Sequence, residues 1–229
     1  MKMKARNKIL LLALCMAALI AVSVLGTMAY LTSTDTVTNT FTVGKVAITL
    51  DEAKVNDAGV AVTPAVRVKA NSYKLMPGHS YIKDPTVTVK AGSEKAYIRM
   101  IVTAEFDKKL TDEKLAMKLD NIFTGFDEAS WKQVKKDVTT TGEGENAKTK
   151  ITYEYRYIKD NNPNTTFTAE KDKDTALSPL FNNVVIPGEW TNDDLAAIGG
   201  VKITIVAEAI QADGFADAAA AWAAFDTQK

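Results

Sequence analysis

The sequence predicts a mainly β protein: a jelly-roll-like antiparallel β-sandwich with short inserted helices, behind a cleavable N-terminal signal helix. Three observations carry this reading. Apolar and polar residues alternate with period two through residues 85–90, 96–106, 150–158 and 201–210, the mark of half-buried antiparallel strands. These stretches are short and separated by Gly, Pro, Asn and Asp turn chemistry, which gives eight or nine strands with long connections. The first 29 residues obey a different rule, with a basic start, an apolar run and a small-residue exit.

Lys2, Lys4, Arg6 and Lys8 form the positive start, and residues 9–25 are almost unbroken apolar sequence. Gly26, Thr27, Met28 and Ala29 then offer small residues for a cut between Ala29 and Tyr30. The alternative is an anchor that stays in place. The run is slightly short for a spanning helix, and no stop-transfer charges follow it. Contact with a membrane is therefore expected only through the uncleaved signal. Cys15 is the sole cysteine and follows Leu14, where a lipoprotein cut would want a small residue, so no lipid anchor is read. The processed chain has no thiol, and its stability must come from its core or from partners.

Residues 30–50 are Thr-rich and alternating. Val37, Asn39, Phe41 and Val43 share one face of an extended chain, and Thr36, Thr38, Thr40 and Thr42 share the other. After Gly44 the phase changes, because Val46, Ile48 and Leu50 are even-numbered. One straight strand cannot aim both sets at one core. The chain therefore divides into a signal (1–29), an N-terminal arm (30–45) and a β-sandwich domain with inserts (46–229).

Within the domain, residues 51–59 read as a polar turn, and 60–68 as a strand that Pro64 splits or confines to an edge. Pro77-Gly78 is type II turn chemistry. In 96–106, Ile98, Met100, Val102, Ala104 and Phe106 face one way, while Tyr97, Arg99, Ile101, Thr103 and Glu105 face the other. A short capped helix is predicted over 108–119, with Ile122, Phe123 and Phe126 packing its end against the sheet. Residues 131–138 and 150–158 read as paired strands joined by a mobile connection over 139–149. Residues 160–174 form a polar loop, and 181–186 a short strand ended by Pro187-Gly188. A helical turn over 191–198 precedes the last strand, 201–210. A final helix over 215–225 carries Phe215, Ala218, Ala219, Trp222 and Phe225 on one face.

Composition narrows the chemistry. The signal holds four of the 28 basic residues and none of the 28 acidic ones, so the remaining 200 residues carry a net charge of −4. A mildly acidic chain without a basic cluster does not read as a nucleic-acid partner. A zinc peptidase needs about three protein ligands with His prominent, and His79 is the only histidine. It reads as a surface residue, and a Ser-His-Asp triad would need that same side chain. Gly142-Glu143-Gly144 is too short and too acidic to cradle phosphate. Glu154 with Glu105 could be paired as two carboxylates, but exposed strand faces carry acids routinely. Asp172, Asp174, Asp193 and Asp194 lack the spacing of a calcium loop and read as solvated. Tyr153, Tyr155 and Tyr157 could stack on sugars, though cross-strand packing explains them more simply. No catalytic residue, metal site or cofactor is therefore predicted.

Several motifs resemble one family. Met28-Ala29-Tyr30-Leu31 at the cut, the Thr- and Phe-containing arm, and Gly44-Lys45-Val46-Ala47-Ile48 are similar to exported Gram-positive proteins of the TasA/camelysin (CalY) family. Leu75-Met76-Pro77-Gly78 matches that family's turn before a strand. Residues 208–215, Glu-Ala-Ile-Gln-Ala-Asp-Gly-Phe, are similar to many clostridial members. The resemblance touches both ends and the first third of the chain. It implies cleavage by a SipW-type signal peptidase, secretion to the surface or surroundings of a Gram-positive cell, and a fibre subunit of a biofilm matrix. In such fibres a subunit lends its N-terminal strand to the next, with related matrix proteins as further partners. Val37, Phe41 and Val43 would be the buried side of that strand. The alternatives are a camelysin-like metalloprotease and a secreted adhesin or carbohydrate-binding module.

Overall fold

The structure is a computed structural model, and it describes residue 7 and residues 12–17, 44–107, 109–110, 122–198 and 201–228. The expected cut at Ala29 and Tyr30 and the arm residues Val37, Phe41 and Val43 lie outside the described residues. So does nearly all of the helix expected over 108–119. The chain divides into two compact units, Met1–Val43 and Gly44–Lys229. In the first, residues 12–17 are helical.

The second unit is mainly antiparallel β. Among the described residues it contains, in chain order, β1 (Ile48–Ala53), β2 (Arg67–Val68), β3 (Ser80–Ile82), β4 (Thr86–Val89), β5 (Ala96–Phe106), β6 (Phe123–Thr124), β7 (Trp131–Thr141), β8 (Lys148–Tyr157), β9 (Thr175–Ala176), β10 (Asn183–Val185), helix α1 (Asn192–Ile198), β11 (Val201–Gln211) and helix α2 (Ala218–Asp226). They form three sheets, ordered β2-β1-β4-β9, β3-β10-β6 and β11-β5-β8-β7. β5 pairs residue for residue with β11, from Ala96↔Gln211 to Phe106↔Val201. Its strict alternation sends Ile98, Met100, Val102, Ala104 and Phe106 into one core with Val87 and Val89 of β4, Val184 of β10, and Ile151 and Tyr153 of β8.

The expected half-buried β5 is buried on both faces at its start. Tyr97 and Arg99 lie under α2, whose Ala218, Ala221 and Trp222 form a second cluster with Tyr97. Asp217 caps α2 by accepting from Ala220 N at 2.8 Å. The expected face holds at Phe215, Ala218, Trp222 and Phe225, but Ala221 turns inward in place of Ala219, which is exposed.

Three other boundaries move for physical reasons. β1 runs on to Ala53 where a turn was expected, because Glu52 finds partners within the fold: Lys83 Nζ at 2.6 Å and Asn71 Nδ2 at 3.0 Å. The expected mobile connection over 139–149 is mostly ladder. Thr139, Thr140 and Thr141 pair with Lys150, Thr149 and Lys148, so only a tight loop remains, turned at Gly142 (φ +83°). Beyond Pro64 only β2 forms, at the edge of its sheet. The turn at 76–79 is as predicted, with His79 N donating to Met76 O at 3.3 Å and Gly78 at φ +74°.

Candidate functional site

A sheet edge carries main-chain groups without strand partners, so the free edges come first. The β11-β5-β8-β7 sheet ends in β11 and β7. Ala212 N donates to Lys95 O at 2.8 Å, which fixes the phase of the β5–β11 ladder. Even-numbered β11 residues therefore exchange bonds with β5, and the N–H and C=O groups of Ile203, Ile205 and Ala207 point away from it. On β1, Lys90 N donates to Ala47 O at 2.9 Å. Odd-numbered residues thus serve β4, and the main chains of Ile48 and Leu50 point outward.

The stretch of β1 that precedes its pairing with β2 at Glu52, and the β11 edge, flank one groove of about 710 Å³, bounded by residues 48–52 and 202–207 and by Lys69, Asn71 and Lys83. Its walls are apolar and incompletely covered: Ile48, Leu50, Ile203, Ile205 and Ala207 are only partly buried against the core. The Lys69 ammonium donates to Leu50 O and so caps one outward carbonyl of β1.

The floor is charged. Glu52 is 6% exposed and Lys83 7%. One Glu52 oxygen accepts from Lys83 and the other from Asn71, whose amide also donates to Ala53 O at 2.8 Å. The Lys83 ammonium lies 5.7 Å from the centre of the Tyr73 ring. Burial, and then the Glu52 charge, push the Tyr73 phenol well above its ordinary pKa. A second cavity of about 490 Å³ adjoins the groove and shares Asn71, Lys83, Lys202 and Ile203 with it.

The other edge is guarded. β7 is exposed beyond Trp131, bulges between Gln133 and Lys135, and carries Lys132, Lys135 and Lys136. Bulges and lysines are how sheets discourage edge-to-edge pairing.

The residues weighed for other chemistry are dispersed. His79 is exposed, with Nδ1 3.1 Å from Pro77 O. Glu154 engages Arg156 at 2.7 Å, whereas Glu105 reaches Lys202 at 3.9 Å, so the two acids serve different cations. Asp174 is held by Lys90 Nζ at 2.7 Å and Ala91 N at 2.9 Å. Tyr153 and Tyr155 are buried, so their rings form no open platform. Among the described residues no three His, Cys, Asp or Glu side chains gather as a metal site would need, and no helix is long and apolar enough to cross a membrane. Sequence reasoning missed the Glu52–Lys83–Asn71 cluster. Its signal was present, since Glu52 is the charged third member of the period-two row Ile48, Leu50, Glu52.

Comparison with family models, with curated proteins and with solved structures gives no match to this chain.

Proposed function

We propose that the protein is a secreted structural subunit of extracellular or biofilm matrix fibres, assembled by donation of its N-terminal strand. Export removes residues 1–29 through a SipW-type signal peptidase and frees an arm beginning at Tyr30. The domain behind it is a jelly-roll-like sandwich. The observation that carries this reading is the groove between β1 and β11, where two outward-facing edges flank an incompletely covered apolar seam. An extended segment laid there meets main-chain donors and acceptors and seats alternate side chains inside. Val37, Phe41 and Val43 supply those side chains. Each contributes roughly 1.5–3 kcal/mol if fully buried, before the cost of ordering the arm.

Cα atoms of β1 and β11 come within 8 Å of each other. Two strand spacings are about 9.6 Å. A full strand between the two edges therefore requires them to part locally. Head-to-tail addition of this kind is heterologous and need not close, so the product is a filament.

Deleting residues 30–43 from the processed protein tests the proposal. Filaments visible by negative-stain electron microscopy should vanish while circular dichroism and urea unfolding report a folded monomer. Filaments that persist without the arm would remove it as the donor.

A further inference from the structure

We propose that the buried Glu52–Lys83–Asn71 cluster sets the register in which the arm of a second copy of this chain seats in the groove, with Asn39 as the residue it receives. The inference rests on the strand-donation reading above and adds a site to it. Lys83 has three N–H bonds. One goes to Glu52, and among the described residues the other two have no protein acceptor, in a side chain 92% buried at the shared wall of groove and cavity. The inward face of the arm is Val37, Asn39, Phe41, Val43, apolar at every position except one. The inward row of β1 is Ile48, Leu50, Glu52, apolar until its last member.

Only one antiparallel alignment matches both rows. It sets Val43 beside Ile48, Phe41 beside Leu50 and Asn39 at Glu52. β2 already holds that edge through Glu52↔Val68 and Lys69 holds Leu50 O, so an arm seating in this register displaces residues 67–69 and brings the Asn39 side chain to the cluster. The Asn39 carbonyl oxygen then accepts from Lys83. A shift of two residues would leave the Asn39 amide against Leu50 and an apolar group against the ammonium, which leaves buried polar groups unmet.

The same matching favours a second copy over the chain's own arm. Residues 45–47 are tied to the turn beside β4: Lys45 O accepts from Glu94 N at 2.9 Å, and Ala47 N donates to Ser93 Oγ at 3.2 Å. An arm returning to its own groove must therefore reverse around Gly44. A tight turn on Gly44-Lys45 pairs Phe41 with Ile48 and Asn39 with Leu50, the mismatched register. An arm arriving from another molecule has no such constraint.

The processed chain from Tyr30 contains no cysteine, so introduced thiols are unique. Protein carrying Phe41→Cys is mixed with protein carrying either Leu50→Cys or Ile48→Cys, oxidised mildly, and read by non-reducing electrophoresis and mass spectrometry. The Phe41–Leu50 link between copies should exceed the Phe41–Ile48 link by about tenfold, the factor that one unmet buried polar group produces. Adding Asn39→Leu should erase the preference, and Asn39→Asp should keep it, because a carboxylate also accepts from Lys83. Both changes lie in the arm and leave the domain's own contacts intact. If Ile48→Cys captures Phe41→Cys as well as Leu50→Cys does, or if Asn39→Leu leaves the preference standing, the register site is wrong while fibres formed by strand donation survive. If no link forms between copies and no filaments appear, strand donation fails and the register site fails with it.

Discussion

The guanidinium carbon of Arg99 lies 4.3 Å from the centre of the Trp222 ring, while its Nε donates to Glu208 at 2.7 Å. Asp226 at the end of α2 binds the same guanidinium, and Glu154 lies 3.7 Å from it. One cation thus pins α2 to the outer face of β5 and β11. Burial alone would lower the Arg99 pKa, but the bonds to Asp226 and Glu208 outweigh it and raise it above the ordinary value, so the charge is permanent.

Replacing Arg99 removes the cation that Glu208, 9% exposed, binds at 2.7 Å, while Glu154 keeps Arg156. Arg99→Ala should cost about 3–5 kcal/mol of unfolding free energy in urea. Asp226 is 54% exposed, and Asp226→Asn should cost less than about 1 kcal/mol. Equal losses for the two would show that the arginine is not the pin.

Gly59 sits at φ +76°, and a Cβ built there falls 2.4 Å from Tyr81 Cδ1 and 2.9 Å from Tyr81 Cα. Gly214 has φ +86° with nothing within 4 Å of its Cβ position. Gly214→Ala should therefore lose only the left-handed strain, about 1–2 kcal/mol. Gly59→Ala should lose at least about 1 kcal/mol more, because a backbone atom cannot swing aside. Equal melting curves for the two variants would remove the close approach as the cause.

The Asp127 carboxylate accepts from the Ser130 hydroxyl first of all, then from Ser178 and from Ala129 N at 3.2 Å, and these bonds hold its pKa below the ordinary value. A depressed folded pKa gives stability that is complete above the usual carboxylate range, about pH 4, and is lost as pH falls through it towards the lower folded value. Asp127→Asn should therefore be destabilised relative to the parent near neutral pH, and the gap should narrow once the parent is protonated. Urea unfolding at about pH 7 and about pH 2 measures the gap. A gap independent of pH would mean the carboxylate charge plays no part.

Val134 and Val138 on the guarded β7 edge are 42% and 45% exposed. Changing Lys132, Lys135 and Lys136 together to valine should convert that edge into a pairing surface. In protein already lacking residues 30–43, light scattering should rise with concentration. A variant that stays monomeric would show that the bulge alone protects the edge.

Some of this was legible in the chain. β5 and β11 emerged from their alternation because each runs for eleven residues with one face in the core, and period two is a local property. The turn at 76–79 followed from Pro77 and Gly78 for the same reason. Arg99 read only as a polar residue on a solvent face, since Glu208 and Asp226 stand 109 and 127 residues away along the chain. Likewise Glu52 looked like the start of a turn until Lys83, 31 residues on, arrived to receive it.

Local periodicity therefore determined the long strands β5 and β11 and the apolar face each turns to the core. Which edges stay open, and which charges lie buried between them, was decided by tertiary structure alone. Those properties depend on sheet order and ladder phase, which bring together residues that no spacing in the sequence relates.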